Sequence, residues 1–282
     1  MAVDTPLLTT VRYVKRDEKR DTSVKPYILH YAAPKDFPQN NFAIEPVSGV
    51  EMRNLRTAGL AYLDHGLAIA NIDDTGLEPA KFDDDDWIER EYLPKLHDAV
   101  CQTFGAKEMT VFDWMLRKRA PSFPKRAEGE EHVDDNQPSL SAHIDYTEAE
   151  LQSRLDAYFG DRKEEILKRK YQVINIWKPL SGPCRDFPLA FIDPKSVDAQ
   201  RDLFKVDEVF PTVANEVFQV YRNPNHRWYY VPDQLASELV IFNAYDSDRG
   251  QELAVPHCSF DLAEAGSGIP RQSIEVRAFV FY

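Results

Sequence analysis

Glycine is scarce, at 11 of 282 residues, roughly half the usual ~7%. No G-x-x-x-x-G-K-S/T, no G-x-G-x-x-G and no G-x-S-x-G occurs. Loops that cradle phosphate need glycine so that backbone N–H groups can approach the anion. The common nucleotide-binding loops and the serine nucleophile elbow are therefore excluded. The one close glycine pair, Gly266-Ser267-Gly268, reads as a turn before Pro270. Cysteine is rarer still. Cys101, Cys184 and Cys258 are odd in number and far apart, so they read as reduced intracellular thiols, not as a disulfide framework or a cysteine zinc site. No apolar run approaches the ~20 residues of a membrane span. The start, MAVDTPLLTTVRYVKRDEKRDTS, has no apolar signal core. A cytoplasmic protein is the expectation. Basic residues are outnumbered, 34 Lys and Arg against 47 Asp and Glu, for a net charge of −13. Such a chain repels phosphate backbones, which argues against nucleic-acid and anionic-membrane partners.

What remains is ordinary globular composition, 43% apolar and 29% charged, with room for a sizeable core. One domain over 1–282 is expected, with an N-terminal arm and helices over 1–107. A core would occupy 108–282, with a helical insertion at 148–170. Residues 1–50 read as an extended arm packed on the domain, and a helix is expected to begin near Val50-Glu51-Met52. The run Asp83-Asp84-Asp85-Asp86 lacks the spacing and glycine of an EF-hand loop. It fits better as the cap of a helix over 87–103. Residues 108–117 read as a strand, 118–138 as a charged surface loop and Ser139 to Tyr146 as another strand. Thr147 with Glu150 three residues on is a capping box, predicting a helix to about Lys170.

From 171 on, the texture is short strands between turns: 171–177, 189–192, 217–221, 227–231, 239–244, 257–260 and 273–282. Asn223-Pro224-Asn225 predicts a hairpin between two of them. This pattern suggests a β-sandwich or barrel decorated by helices.

The chemistry concentrates on His143-Ile144-Asp145 and His257. On a strand, 143 and 145 share a face. A second imidazole from a later strand would complete a facial triad of two histidines and one carboxylate. That set leaves three positions of an octahedral metal open, as non-heme Fe(II) oxygenases require. His132-Val133-Asp134 repeats the H-x-D spacing, but its flanks are solvent-loving and make a poor scaffold. Fourteen residues after His257 comes Arg271-Gln272-Ser273.

The pattern H-x-D … H … R-x-S resembles the 2-oxoglutarate-dependent Fe(II) dioxygenases. Residues 143–282 also resemble a narrower, largely fungal family of hydroxylase/desaturase-like proteins, which includes a gibberellin desaturase and a cephamycin 7α-methoxylation protein. The resemblance is carried by Ala142-His143-Ile144-Asp145-Tyr146-Thr147, Val173-Ile174-Asn175-Ile176-Trp177-Lys178-Pro179-Leu180, Phe187-Pro188-Leu189-Ala190, His226-Arg227-Trp228-Tyr229-Tyr230, Tyr245-Asp246-Ser247, Val255-Pro256-His257 and Pro270-Arg271-Gln272-Ser273-Ile274-Glu275-Val276-Arg277. It implies an α+β, mainly β fold, the double-stranded β-helix (a cupin-like jelly roll) with flanking helices. It also implies His143, Asp145 and His257 as iron ligands, with Fe(II), 2-oxoglutarate and O2 as cofactor and co-substrates. The activity implied is hydroxylation or desaturation of a small organic substrate in secondary metabolism.

The distal carboxylate of 2-oxoglutarate needs a cation, and a guanidinium matches it bidentately. Arg271 and Arg277 share strand parity but stand about 20 Å apart at ~3.3 Å per residue, so only one can serve. R-x-S favours Arg271, with Ser273 adding a hydroxyl. Arg277 would then pair with Glu275 or another carboxylate. Asn175 and Tyr171 are further candidates for co-substrate binding, and Trp177 lines the pocket or packs in the core. Trp228, Tyr229 and Tyr230 read as hairpin packing, Asp246 as a turn cap ahead of a rival metal ligand, and Cys258 as core. The competing functions are a cupin-like metal-dependent hydrolase or isomerase without 2-oxoglutarate, and a non-catalytic binding protein on the same fold. A homo-oligomer is left open.

Overall fold

The computed structural model describes residues 7–120, 123, 137–262 and 269–282. Fourteen strands occur among them. In chain order these are β1 (Leu7–Val14), β2 (Tyr27–Leu29), β3 (Ile44–Asn54), β4 (Leu67–Asn71), β5 (Glu108–Lys118), β6 (His143–Ile144), β7 (Tyr171–Pro179), β8 (Leu189–Ile192), β9 (Leu203–Val209), β10 (Ala214–Val220), β11 (Trp228–Tyr230), β12 (Glu238–Asp246), β13 (His257–Ser259) and β14 (Gln272–Phe281). A nine-stranded sheet runs β1-β3-β11-β8-β13-β6-β10-β9-β2, and a five-stranded sheet runs β4-β12-β7-β14-β5. Most neighbours are distant in sequence, the crossed connectivity of a jelly roll.

The two sheets close on each other because β7, β12 and β14 are buried almost throughout, on both faces. Trp177, Val240 and Phe242 from the small sheet meet Leu189, Phe191 and Tyr229 from the large one. On the outer face of the small sheet, Ile174, Ile176, Ile241 and Val276 pack on Leu96 and Val100. These two belong to helix α1 (Leu93–Phe104). Each such side chain contributes about 1.5–3 kcal/mol when fully buried. Helical turns over Asp85–Trp87 and Ile88–Tyr92 lead into α1, and the acidic run caps their start as expected: the Asp84 carboxylate accepts from the Trp87 N–H at 3.1 Å. Helix α2 (Glu148–Phe159) starts at the predicted cap, where Thr147 Oγ1 accepts from the Glu150 N–H at 3.3 Å. Gly160 at φ 49, ψ −124 interrupts it, and helical turns resume over Gly160–Arg162 and Lys163–Ile166, short of Lys170.

Several expectations give way. Val50–Met52 starts no helix; it lies inside β3, which pairs with β1 from Leu7↔Met52 to Val14↔Ile44. The register slips between Thr9 and Thr10, and Gly49 at φ 77 is the extra residue of the bulge. Within residues 7–54, β1, β2 and β3 join the large sheet. The strand expected over 139–146 shortens to two residues, His143–Ile144. Asn223-Pro224-Asn225 does turn the chain, with the Asn225 N–H donating to Asn223 Oδ1 at 2.9 Å, but it closes no hairpin. β10 pairs with β6 and β9, whereas β11 pairs with β3 and β8. The turn is local chemistry, while pairing is decided by which strands the sheet order brings side by side. His132-Val133-Asp134, Gly266-Ser267-Gly268 and most of the 118–138 loop lie outside the described residues.

Candidate active site

β6 and β13 are adjacent, and their register sets His257 directly opposite His143. Asp145 follows β6 by one residue. One ligand atom from each of His143, Asp145 and His257 falls within 4.8 Å of the others. Asp145 Oδ1 stands 3.4 Å from His143 Nε2 and 3.8 Å from His257 Nε2. The imidazoles face each other at 4.4 Å between centroids and 48° between planes.

Both rings are oriented from behind. Nδ1 of His143 lies 2.8 Å from the Ser141 carbonyl, and Nδ1 of His257 lies 3.1 Å from the Val255 carbonyl. A carbonyl only accepts, so Nδ1 carries the proton and Nε2 the lone pair. This backing is what metal-binding histidines characteristically have. Burial pulls His257 down to about 4, aided by the nearby His143, so it is neutral at pH 7. For His143, burial also pulls down, but hydrogen bonding and attraction to Asp145 win and raise it. Burial pushes the Asp145 carboxyl up, yet Arg277 and the two imidazoles hold it well below the usual range. An anionic oxygen and two oriented imidazoles fit an octahedral Fe(II).

The other oxygen of Asp145 is already engaged. Oδ2 accepts from Asn175 Nδ2 at 2.5 Å and from Arg277 Nε at 3.2 Å. Arg277 also donates to Asp113 at 2.8 Å and Glu275 at 2.6 Å. Arg117 grips Glu275 through two bonds of 2.9 Å. Burial pushes Glu275 up, but Arg117 and Arg277 bring it down to about 2.

Arg271 occupies the opposite end of this row. Its Nη1 donates to the Phe187 carbonyl at 2.5 Å and to Ser259 Oγ at 2.6 Å. Its guanidinium lies 5.4 Å from the Trp177 ring centroid. Burial draws it down to about 10, so it is still a cation at pH 7. Among the described residues, Arg271 Nε, Ser273 Oγ and Trp177 Nε1 are buried donors without partners. A buried cation beside unpaired donors is a receptor suited to a carboxylate, so the residues also fit 2-oxoglutarate.

Tyr171 is not brought to this group. It is paired with Phe281, at the far end of β7 from Pro179, which pairs with Ser273. Its ring stacks on Tyr245 at 5.9 Å in an aromatic cluster with Phe279. Asn175 faces Asp145, and Trp177 faces Arg271. Asp246 caps its turn, accepting from the Asp248 N–H at 2.8 Å. Cys258 packs on the other side of the sheet with Ala190 and Ile192. Trp228 is buried, donating to Tyr13 Oη at 2.7 Å. Sequence reasoning missed Ser259, Arg117 and Asp113. Ser259 was within reach, since it shares strand parity with His257.

Fold and site together define a jelly-roll protein with a His-Asp-His group that can hold a metal ion. A family model described as YDMC, an oxidoreductase/YMDC permease-like domain, matches residues 11–281. Among the described residues no helix is long and apolar enough to cross a membrane. The α-ketoglutarate-dependent dioxygenase tstK of Talaromyces stipitatus is 30% identical over 223 residues, 78% of this chain and 79% of that one. The hydroxylase/desaturase efuI of Hormonema carpetanum is 26% identical over 225 residues, 74% of this chain and 75% of that one. The structure of the iron and α-ketoglutarate-dependent endoperoxidase NvfI superposes with a TM-score of 0.84 at 24% identity, covering 99% of this chain and 98% of that one. That likeness shows the double-stranded β-helix fold. The chain belongs to this family of Fe(II)/2-oxoglutarate-dependent dioxygenases. It is an oxidoreductase that uses Fe(II), 2-oxoglutarate and O2, and a hydrolase or isomerase reading is not favoured.

Proposed function

We propose that His143, Asp145 and His257 hold the iron, and that Arg271, with Ser273 and Ser259 beside it, receives the distal carboxylate of 2-oxoglutarate. The reaction is hydroxylation or desaturation of a small organic substrate in specialised biosynthesis. We read the chain as one oxygenase domain over 1–282, cytoplasmic, without nucleic-acid or membrane partners. The observation that carries this reading is the convergence of two imidazoles and one carboxylate within 4.8 Å, each imidazole tied at Nδ1 to a backbone carbonyl.

Bound there, Fe(II) with 2-oxoglutarate and O2 supplies an oxidation strong enough to take hydrogen from a C–H bond, with succinate and CO2 as co-products. The chain's own backbone and side chains do the rest. The Ser141 and Val255 carbonyls aim the Nε2 lone pairs. Asp145 offsets part of the metal charge. Arg271, held by Phe187 and Ser259 and covered by Trp177, offers its unpaired, buried Nε edge, where a charged hydrogen bond contributes about 1.5–3 kcal/mol. Hydroxylation and desaturation begin with the same hydrogen abstraction, so the site supports both. The test is anaerobic loading with Fe(II) and 2-oxoglutarate. A visible charge-transfer band is expected, absent in His143→Ala, followed by succinate on admission of O2. A wild type with neither band nor succinate would refute the reading.

A further inference from the structure

Asp145 presents its two oxygens very differently. Oδ1 faces both imidazoles, at 3.4 and 3.8 Å. Oδ2 is turned away and accepts from Asn175 Nδ2 at 2.5 Å and Arg277 Nε at 3.2 Å. Neither partner is loose. Asn175 is buried on β7, and the register sets it opposite Arg277 on β14. Arg277 is pinned by Asp113 at 2.8 Å and Glu275 at 2.6 Å. Glu275 is pinned in turn by Arg117. The chain Arg117–Glu275–Arg277–Asp145 therefore runs from β5 through β14 to the centre.

The count of coordination positions gives this clamp a purpose. Two imidazole nitrogens and one carboxylate oxygen leave three of six octahedral positions. A chelating keto acid fills two, leaving one for O2. If Oδ2 also bound, that last position would be lost. We propose that Arg277 and Asn175 are positioning residues that keep Asp145 a one-oxygen ligand, reserving a position for O2, with Arg117 and Glu275 fixing Arg277. This inference rests on the iron reading above and adds residues that reading does not need.

The test uses the full-length protein loaded anaerobically with Fe(II) and 2-oxoglutarate. Nitric oxide serves as the O2 surrogate, followed by the EPR signal of the iron–nitrosyl complex. Arg277→Met is expected to keep the charge-transfer band of bound 2-oxoglutarate while nitric oxide affinity falls by on the order of tenfold or more. Arg277→Lys should recover part of the loss. Arg277→Met also strips Asp113 and Glu275 of a cation, so Asn175→Ala is the milder companion. It removes one bond to Oδ2, leaves those carboxylates paired, and should weaken nitric oxide binding by a smaller factor while the charge-transfer band of bound 2-oxoglutarate is kept. Wild-type nitric oxide affinity in both Arg277→Met and Asn175→Ala overturns the clamp. So does loss of 2-oxoglutarate and nitric oxide binding in equal proportion in Asn175→Ala, which would mark general damage. A wild type that shows no charge-transfer band overturns the iron reading itself, and the clamp with it.

Discussion

Lys178 places a charged side chain in an apolar layer. It follows Trp177 on β7 and so faces outward, into the layer beneath α1. Only 1% of it is exposed, and its Nζ has no hydrogen-bond partner. The ammonium lies 5.3 Å from the Phe82 ring centroid and 5.7 Å from that of Tyr92. Burial draws it down to about 8 from an ordinary 10.5, with Asp74 offsetting only a little. At 1.36 kcal/mol per pH unit, that gap costs the folded state on the order of 3 kcal/mol wherever the amine is charged in both states. Lys178→Met keeps the stem and removes the charge. It should stabilise the protein by up to ~3 kcal/mol at pH 7. The sign follows from the direction: the folded value is depressed, so the cost is full below about 8. It fades as pH rises toward the unfolded value near 10.5, and wild type and variant should converge there. Urea denaturation of both proteins at pH 7 and near pH 10.5 measures this. A variant no more stable than wild type at pH 7, or a gain that persists undiminished at the higher pH, would refute the reasoning.

Arg271→Ala should raise the KM for 2-oxoglutarate by about ten- to a hundredfold, from the 1.5–3 kcal/mol of a charged hydrogen bond; steady-state succinate assays check it, and an unchanged KM rejects the assignment. Gly66 has φ 65, and a Cβ there would meet the Leu253 carbonyl oxygen at 2.6 Å and Asn243 Cβ at 3.0 Å. Gly66→Ala should therefore cost about 2 kcal/mol or more in denaturant titration, and a wild-type midpoint contradicts this. Tyr13→Phe leaves the buried Trp228 indole N–H, now bonded at 2.7 Å, without an acceptor. A loss of about 1–3 kcal/mol is expected, and calorimetry showing none would contradict it.

The legible parts of the fold were those with an uninterrupted local signal. β7 and β12 are buried along their whole length and carry apolar runs, so Val173–Trp177 and Leu239–Ala244 stand out. β3 does not: it is largely half-buried or exposed, and Pro46 and Gly49 break its run. β9 alternates buried Phe204 and Val206 with Lys205 and Asp207, a two-residue period too short to stand out in the sequence. The same division holds in the site. His143, Asp145 and His257 could be anticipated from spacing and resemblance, and the structure brings them within reach of one point. Asp113 and Arg117 could not, because they reach Arg277 and Glu275 only through the β5–β14 register, which belongs to tertiary pairing. Tyr171 shares parity with Asn175 but sits four residues along the strand, at the aromatic end of the barrel; parity fixes the face, not the height.

The most direct test is a crystal grown anaerobically with Fe(II), with diffraction collected on either side of the iron absorption edge. The expected result is a single anomalous peak within coordination distance of His143 Nε2, His257 Nε2 and Asp145 Oδ1, with Asp145 Oδ2 still on Arg277 and Asn175. An iron peak elsewhere, or none at this point with iron in excess, would contradict the assignment of these three side chains as the metal centre.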